Sequence, residues 1–225
     1  MKLLEPGAIT VLTIALAIAG LAWGVAADRI ATRWPEHDES EGFLPGRRPG
    51  WRTFIVAAFG AIGLGGVATI FPPSEAGLAF VAFGVYVVVL VLLLATDLDQ
   101  RLMPDALTLP MIPFALAYAL SGQNPLVGSA WIPAVAAAIV IPLLLYLPSL
   151  LFGPGAFGLG DVKLLVTVGL VSGAYRAVLG TFAGIIVAGI VIVVLLVARR
   201  VTLKTYIPFG PFLILGALWA ILLRT

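Results

Sequence analysis

Uninterrupted apolar runs of about 20 residues recur along the whole chain, each long enough to cross the hydrocarbon of a bilayer. A soluble fold has nowhere to hide that many. With 61% hydrophobic and 11% charged residues in a chain of 225, and a mean hydropathy of +1.14, the sequence belongs in lipid. Eight candidate spans are read at about 7–27, 53–71, 77–96, 105–120, 130–151, 161–174, 177–198 and 206–223. Breaks fall at Pro72 and Pro73, between Gly122 and Pro125, at Gly153, Pro154 and Gly155, and at Arg199 and Arg200. The expected fold class is therefore an all-α integral membrane protein, a polytopic bundle of about eight transmembrane helices. Residues 1–225 are expected to form a single membrane domain.

Lys and Arg accumulate on the cytoplasmic side of membrane proteins. With the N-terminus outside, ten of them (Arg29, Arg33, Arg47, Arg48, Arg52, Arg101, Lys163, Arg199, Arg200, Lys204) fall inside, and three (Lys2, Arg176, Arg224) fall outside. Val25, Ala26 and Ala27 offer a small-residue cleavage site, but the positive charge follows the first apolar run instead of preceding it, so removal as a signal peptide is not expected. The longest polar stretch, 28–52, mixes five acids with five arginines and reads as a short cytoplasmic loop, too small to hold a core.

The absence of cysteine excludes disulfides, thiolate zinc sites and a cysteine nucleophile. The lone histidine, His37, lies among Glu36, Asp38 and Glu39 and reads as a solvated loop residue. A net charge of +2 gives no footprint for nucleic acid. No metal and no organic cofactor are expected.

Carboxylates near membrane depth are costly unless something pairs or uses them. Two qualify. Asp97 lies at the inner end of the third run and Asp161 at the inner mouth of the sixth, in Gly158-Leu159-Gly160-Asp161-Val162-Lys163. The charge-derived topology puts both on the cytoplasmic side at similar depth. Paired carboxylates can share one proton, the arrangement of aspartic proteases. Gly158 and Gly160 are expected to supply unusual backbone angles and room for a substrate strand. Asp99 and Asp105 read as ordinary loop acids with Arg101 as their partner, and Lys163 as a side chain that snorkels to headgroups or tunes Asp161. Taken singly, each aspartate also has a bland reading as an interfacial or helix-end charge.

In order and spacing these motifs resemble the type IV prepilin peptidases of the Gly-x-Gly-Asp membrane aspartyl proteases. Asp97 through Pro104 and Asp105 matches the family pattern of Asp, six residues, then Pro-Asp or Pro-Asn, and Gly158 to Leu164 matches Gly-x-Gly-Asp-hydrophobic-Lys-Leu. Ile207-Pro208-Phe209-Gly210-Pro211-Phe212 is similar to the family's entry into its last helix, and the run-out from Gly20 to Pro35 is more loosely similar to its first helix. The resemblance implies catalytic roles for Asp97 and Asp161, with supporting roles for Gly158, Gly160, Lys163, Asp99, Pro104 and Asp105. It implies prepilin or pseudopilin substrates, cut after Gly at the cytoplasmic face of the inner (plasma) membrane and used for a type IV pilus or a type II secretion pseudopilus. Larger members carry a cytoplasmic domain with two Cys-x-x-Cys pairs, linked to N-methylation, where this chain has only 28–52; methyltransferase activity is not expected. Other readings stay open at this stage: a non-catalytic pilin-binding assembly factor, a proton- or cation-coupled transporter using buried acids, and a presenilin-like protease, which would carry Tyr-Asp where this chain has Thr96-Asp97. Oligomeric state is not legible.

Overall fold

Apolar stretches between proline, glycine and charge breaks become helices, because in lipid a helix satisfies its backbone polar groups internally. The computed structural model describes residues 6–35, 49–152, 158–202 and 208–223. Seven helices form among them: α1 (Pro6–Ala31), α2 (Trp51–Ile70), α3 (Pro73–Gln100), α4 (Asp105–Leu120), α5 (Trp131–Phe152), α6 (Leu159–Val197) and α7 (Gly210–Leu222). Four of them, α1, α2, α3 and α6, are long and apolar enough to cross a membrane by length and composition; α4, α7 and the stretch Trp131–Leu147 of α5 are shorter apolar segments. Large apolar side chains remain exposed along single helix faces, as at Val11, Ile14, Ile18 and Leu21 on α1 and at Phe182, Ile186, Ile190 and Val193 on α6. Such stripes are where acyl chains pack. The chain is a multi-pass, all-helical membrane protein.

The helices fall into two compact units, one up to Leu107 and one from Thr108 to Leu223. In the first, α1 and α2 touch backbone to backbone: a Cβ on Gly20 would sit 2.1 Å from Gly60 O, and one on Gly24 would sit 2.5 Å from the Cα of Ala57. Small residues permit that approach, and dispersion between the close backbones replaces the hydrophobic effect that lipid does not supply. The Trp23 indole N–H, donating to Val88 O at 3.0 Å, joins α1 to α3. In the second unit, Gly169 lies against Ala138 of α5, while Gly180 and Gly184 lie against Gly216 and Phe212 of α7.

Two expectations from the sequence need correction. The sixth and seventh expected spans, 161–174 and 177–198, run on without an intervening loop as one element, α6, whose two helical parts meet at Gly173 with φ 76° and ψ 165°. Only glycine adopts that conformation readily, so the chain turns at one residue and resumes helix without a loop. The interruption deprives Val171 O of its regular helical donor, and the buried Asn124 side chain replaces it: Nδ2 donates to Val171 O at 2.9 Å while Oδ1 accepts from Leu126 N–H at 3.0 Å. The stretch 28–52 is also less of a loop than its charge implies, since α1 runs on to Ala31 and α2 opens at Trp51. Residues 36–48, with His37, lie outside the described residues.

Asn124→Leu leaves Val171 O buried without a donor. It is expected to destabilise the protein by about 1–3 kcal/mol, read as a lowered thermal unfolding midpoint in detergent with the helical content unchanged.

Candidate active site

Asp97 stands in the last turn of α3, where its backbone O accepts the Arg101 N–H at 2.9 Å, and the residue is only 5% exposed. It makes polar contact elsewhere, while its Oδ2 atom is enclosed and accepts no hydrogen bond among the described residues. Arg101 ends the helix in the left-handed region, φ 56° and ψ 36°, a conformation that costs a non-glycine residue about 1 kcal/mol and persists where the surroundings fix it. The chain then passes through buried Met103 and Pro104 into α4, whose first residue is the exposed Asp105. There the carboxylate complements the helix dipole.

What fixes the end of α3 is a triangle of polar contacts among three helix ends. On the α2 side, Arg52 Nη1 donates to Leu98 O at 3.0 Å and pairs with Asp99 Oδ1 at 2.5 Å, with both side chains largely buried. Toward α1, Gln100 Nε2 donates to Ala31 O at 2.7 Å and to Trp34 O at 3.1 Å. The third side closes between α2 and α1, where the Thr53 hydroxyl donates to Asp28 Oδ2 at 2.6 Å and accepts the Gly50 N–H at 3.2 Å. Asp99 is thus partnered by Arg52 and not by Arg101, whose side chain is exposed.

In the second unit, Asp161 occupies the first turn of α6. Its Oδ2 accepts the N–H of Gly158 at 3.2 Å, satisfying a donor just ahead of the helix. The residue is half-buried, as is Lys163, and Gly158 is exposed. The expectation of unusual angles at the glycines is not met. Gly158 has an ordinary extended conformation, φ −81° and ψ 150°, and Gly160 is not among the residues with positive φ. A Cβ on Gly158 would meet Asp161 Oδ2 at an ordinary 3.4 Å. Among the described residues no group of three or more His, Cys, Asp and Glu side chains is placed to hold a metal.

Both aspartates and both of their motifs lie inside residues 84–194, the stretch that matches the type IV leader peptidase family. These residues belong to that family. Among the relatives, the prepilin leader peptidase/N-methyltransferase of Burkholderia pseudomallei is 35% identical over 163 residues, 72% of this chain and 51% of the relative. The proteins of the same name from Aeromonas salmonicida and Pseudomonas aeruginosa are 36% identical over 135 residues and 32% over 127. These alignments cover 60% and 56% of this chain, and 46% and 43% of the relatives. The chain spans about half the length of the curated relatives it matches. No solved structure matches it.

Outside the leader-peptidase segment, sequence reasoning missed Asp28, Arg52 and Thr53, all of them in or beside a stretch read as solvated loop. The signal available was positional. Asp28 directly follows an apolar run and Arg52 and Thr53 open the next one, so each was a candidate for burial at a helix end.

Thr53→Val keeps the shape of the side chain but removes the hydroxyl on Asp28, leaving a carboxylate that is 3% exposed without that donor. A loss of about 1–3 kcal/mol is expected. Thr53→Ser is expected to restore most of it, both measured as shifts in thermal unfolding midpoint.

Proposed function

We propose that the chain is a membrane aspartyl endopeptidase that cuts the leader of type IV prepilins or pseudopilins after Gly at the cytoplasmic face, with Asp97 and Asp161 as its catalytic dyad. The observation that carries this reading is the leader-peptidase match over 84–194, which contains both aspartates within their spaced motifs. The burial of Asp97 in the last turn of an apolar helix and the place of Asp161 at the opening of another support it. So do the names of the relatives, prepilin leader peptidases.

The chemistry follows from sharing one proton between two carboxylates. The ionised member removes a proton from water as the oxygen attacks the scissile carbonyl. The protonated member donates to the carbonyl oxygen, and collapse of the tetrahedral intermediate returns a proton to the departing amine. The pair titrates as a unit, so the proton belongs to both. No metal or organic cofactor enters these steps. Gly158 leaves the space in which a substrate backbone reaches Asp161, and Gly160, Lys163, Pro104 and Asp105 shape the two segments that carry the aspartates. The relatives' names also include N-methyltransferase; this chain has no cysteine, and the reading is confined to proteolysis.

The orientation has the N-terminus outside and the inner membrane as the location. A straight helix of 39 residues would be about 58 Å long, nearly twice the roughly 30 Å of hydrocarbon. Division of α6 at Gly173 therefore favours two crossings there and eight in all. This topology puts ten of the thirteen basic residues, with Asp97 and Asp161, on the cytoplasmic side.

The test is cleavage of a model prepilin, with a basic leader ending in Gly before an apolar helix, by the purified protein in liposomes. Asp97→Asn and Asp161→Asn, each confirmed to be folded, are expected to lower the rate by at least about 10³-fold, and a metal chelator is expected to leave the wild-type rate unchanged. Full activity in either variant overturns the dyad.

A further inference from the structure

We propose that Arg52 is a positioning residue for Asp97, holding the last turn of α3 in the geometry that cleavage needs. This rests on the aspartyl peptidase reading above and adds a residue that lies outside the leader-peptidase segment, 45 positions before the aspartate.

The last carbonyls of a helix have no partner within it. In α3 the carbonyl of Leu98, the residue next to Asp97, is supplied by Arg52 Nη1 at 3.0 Å, and the same nitrogen pairs with the carboxylate of Asp99 at 2.5 Å. A cation on a helix C-terminus also complements the dipole. An exposed ion pair at such a place would contribute little. This one is different, because the arginine and aspartate side chains are only 11% and 13% exposed, and Arg52 Nη2 is buried with no hydrogen-bond partner among the described residues. A charge so enclosed is screened little by water, so its contact with the Asp99 carboxylate counts for more than a surface pair would.

The geometry around it has two further anchors, Gln100 on α1 carbonyls and the left-handed Arg101. They hold the turn from the side facing α1 and from beyond its end. Arg52 holds it from α2. Loss of Arg52 therefore releases one side of the turn that carries Asp97 without dismantling the helix, whose body is packed by Phe83, Leu90 and Leu94. A catalytic group displaced by a fraction of an ångström to an ångström loses rate in the chemical step while substrate binding is spared.

The experiment uses the full-length protein in liposomes and measures prepilin cleavage for wild type, Arg52→Ala, Arg52→Lys, Asp99→Asn and Asp97→Asn, together with amide hydrogen exchange at residues 98–102. Arg52→Ala is expected to lower kcat at least about 10-fold with KM within about 2-fold, and to speed exchange in the last turn of α3. Arg52→Lys is expected to recover most of kcat, because both contacts converge on one nitrogen that an ammonium group can replace. Should Arg52→Ala fail to fold, Asp99→Asn, which keeps the cap on Leu98 O and removes the ion pair, is expected to lower kcat in the same way by a smaller factor. Wild-type kcat in Arg52→Ala or, where that variant does not fold, in Asp99→Asn overturns the proposal while the peptidase reading stands. So does an effect confined to KM, no recovery in Arg52→Lys, or unchanged exchange. If the wild type cuts no prepilin, or Asp97→Asn cuts normally, the peptidase reading itself falls and the positioning role with it.

Discussion

A helix that ends at the edge of a bilayer leaves carbonyl groups that neither lipid nor its own backbone can satisfy, and α3 ends within one turn of Asp97. The arginine on Leu98 O and Asp99, the glutamine reaching back to α1 and the left-handed residue at 101 answer that need together. The aspartate is thereby placed on a turn that is anchored from several directions. Remove the anchoring and the end of an apolar helix would fray, as helix ends do.

The same requirement recurs in the second unit. Where α6 departs from helical geometry, Asn124 takes the carbonyl that the departure leaves open. At the end of α7, Arg176 Nη1 donates to the carbonyls of Ala220 and Leu223. Close glycine contacts, Gly180 on Gly216 and Gly184 on Phe212, then bring α6 and α7 together. In each case one polar side chain completes the backbone, and small residues let the apolar helices approach. Polar residues are few in this chain, and a large share of those that are buried serve backbone groups rather than one another.

Much of this was legible in the sequence because helix-forming runs and their breaks are local signals. The expected runs coincide with α1 to α5 and α7 to within a few residues, and Asp97 and Asp161 stand at a helix end and a helix start as their flanking residues indicate. What escaped was non-local. Arg52 and Asp99 are distant in the chain, so Arg101, close by in sequence, looked like the better partner for Asp99. Asp28 sat at the head of a stretch of mixed charge, and its burial depends on a hydroxyl 25 residues away. The sixth and seventh runs were read as 161–174 and 177–198, and the two helical parts of α6 meet at a single glycine, Gly173. At Gly158 the sequence pattern pointed to backbone freedom, whereas the backbone there is ordinary.

The single-residue interruption at Gly173 has a mechanical consequence. A continuous helix transmits a push or a twist along its length, but one broken at a point does not, and the part of α6 ahead of Gly173 packs on α5 through Gly169 while the part behind it packs on α7. Asp161 therefore belongs to the part that packs on α5, and the joint separates it from the part that packs on α7. A substitution at the joint is strained: a side chain there would meet Leu126 O at 3.0 Å as well as an unfavourable φ. A position 12 residues beyond Asp161 in the chain thus carries a steric constraint of its own.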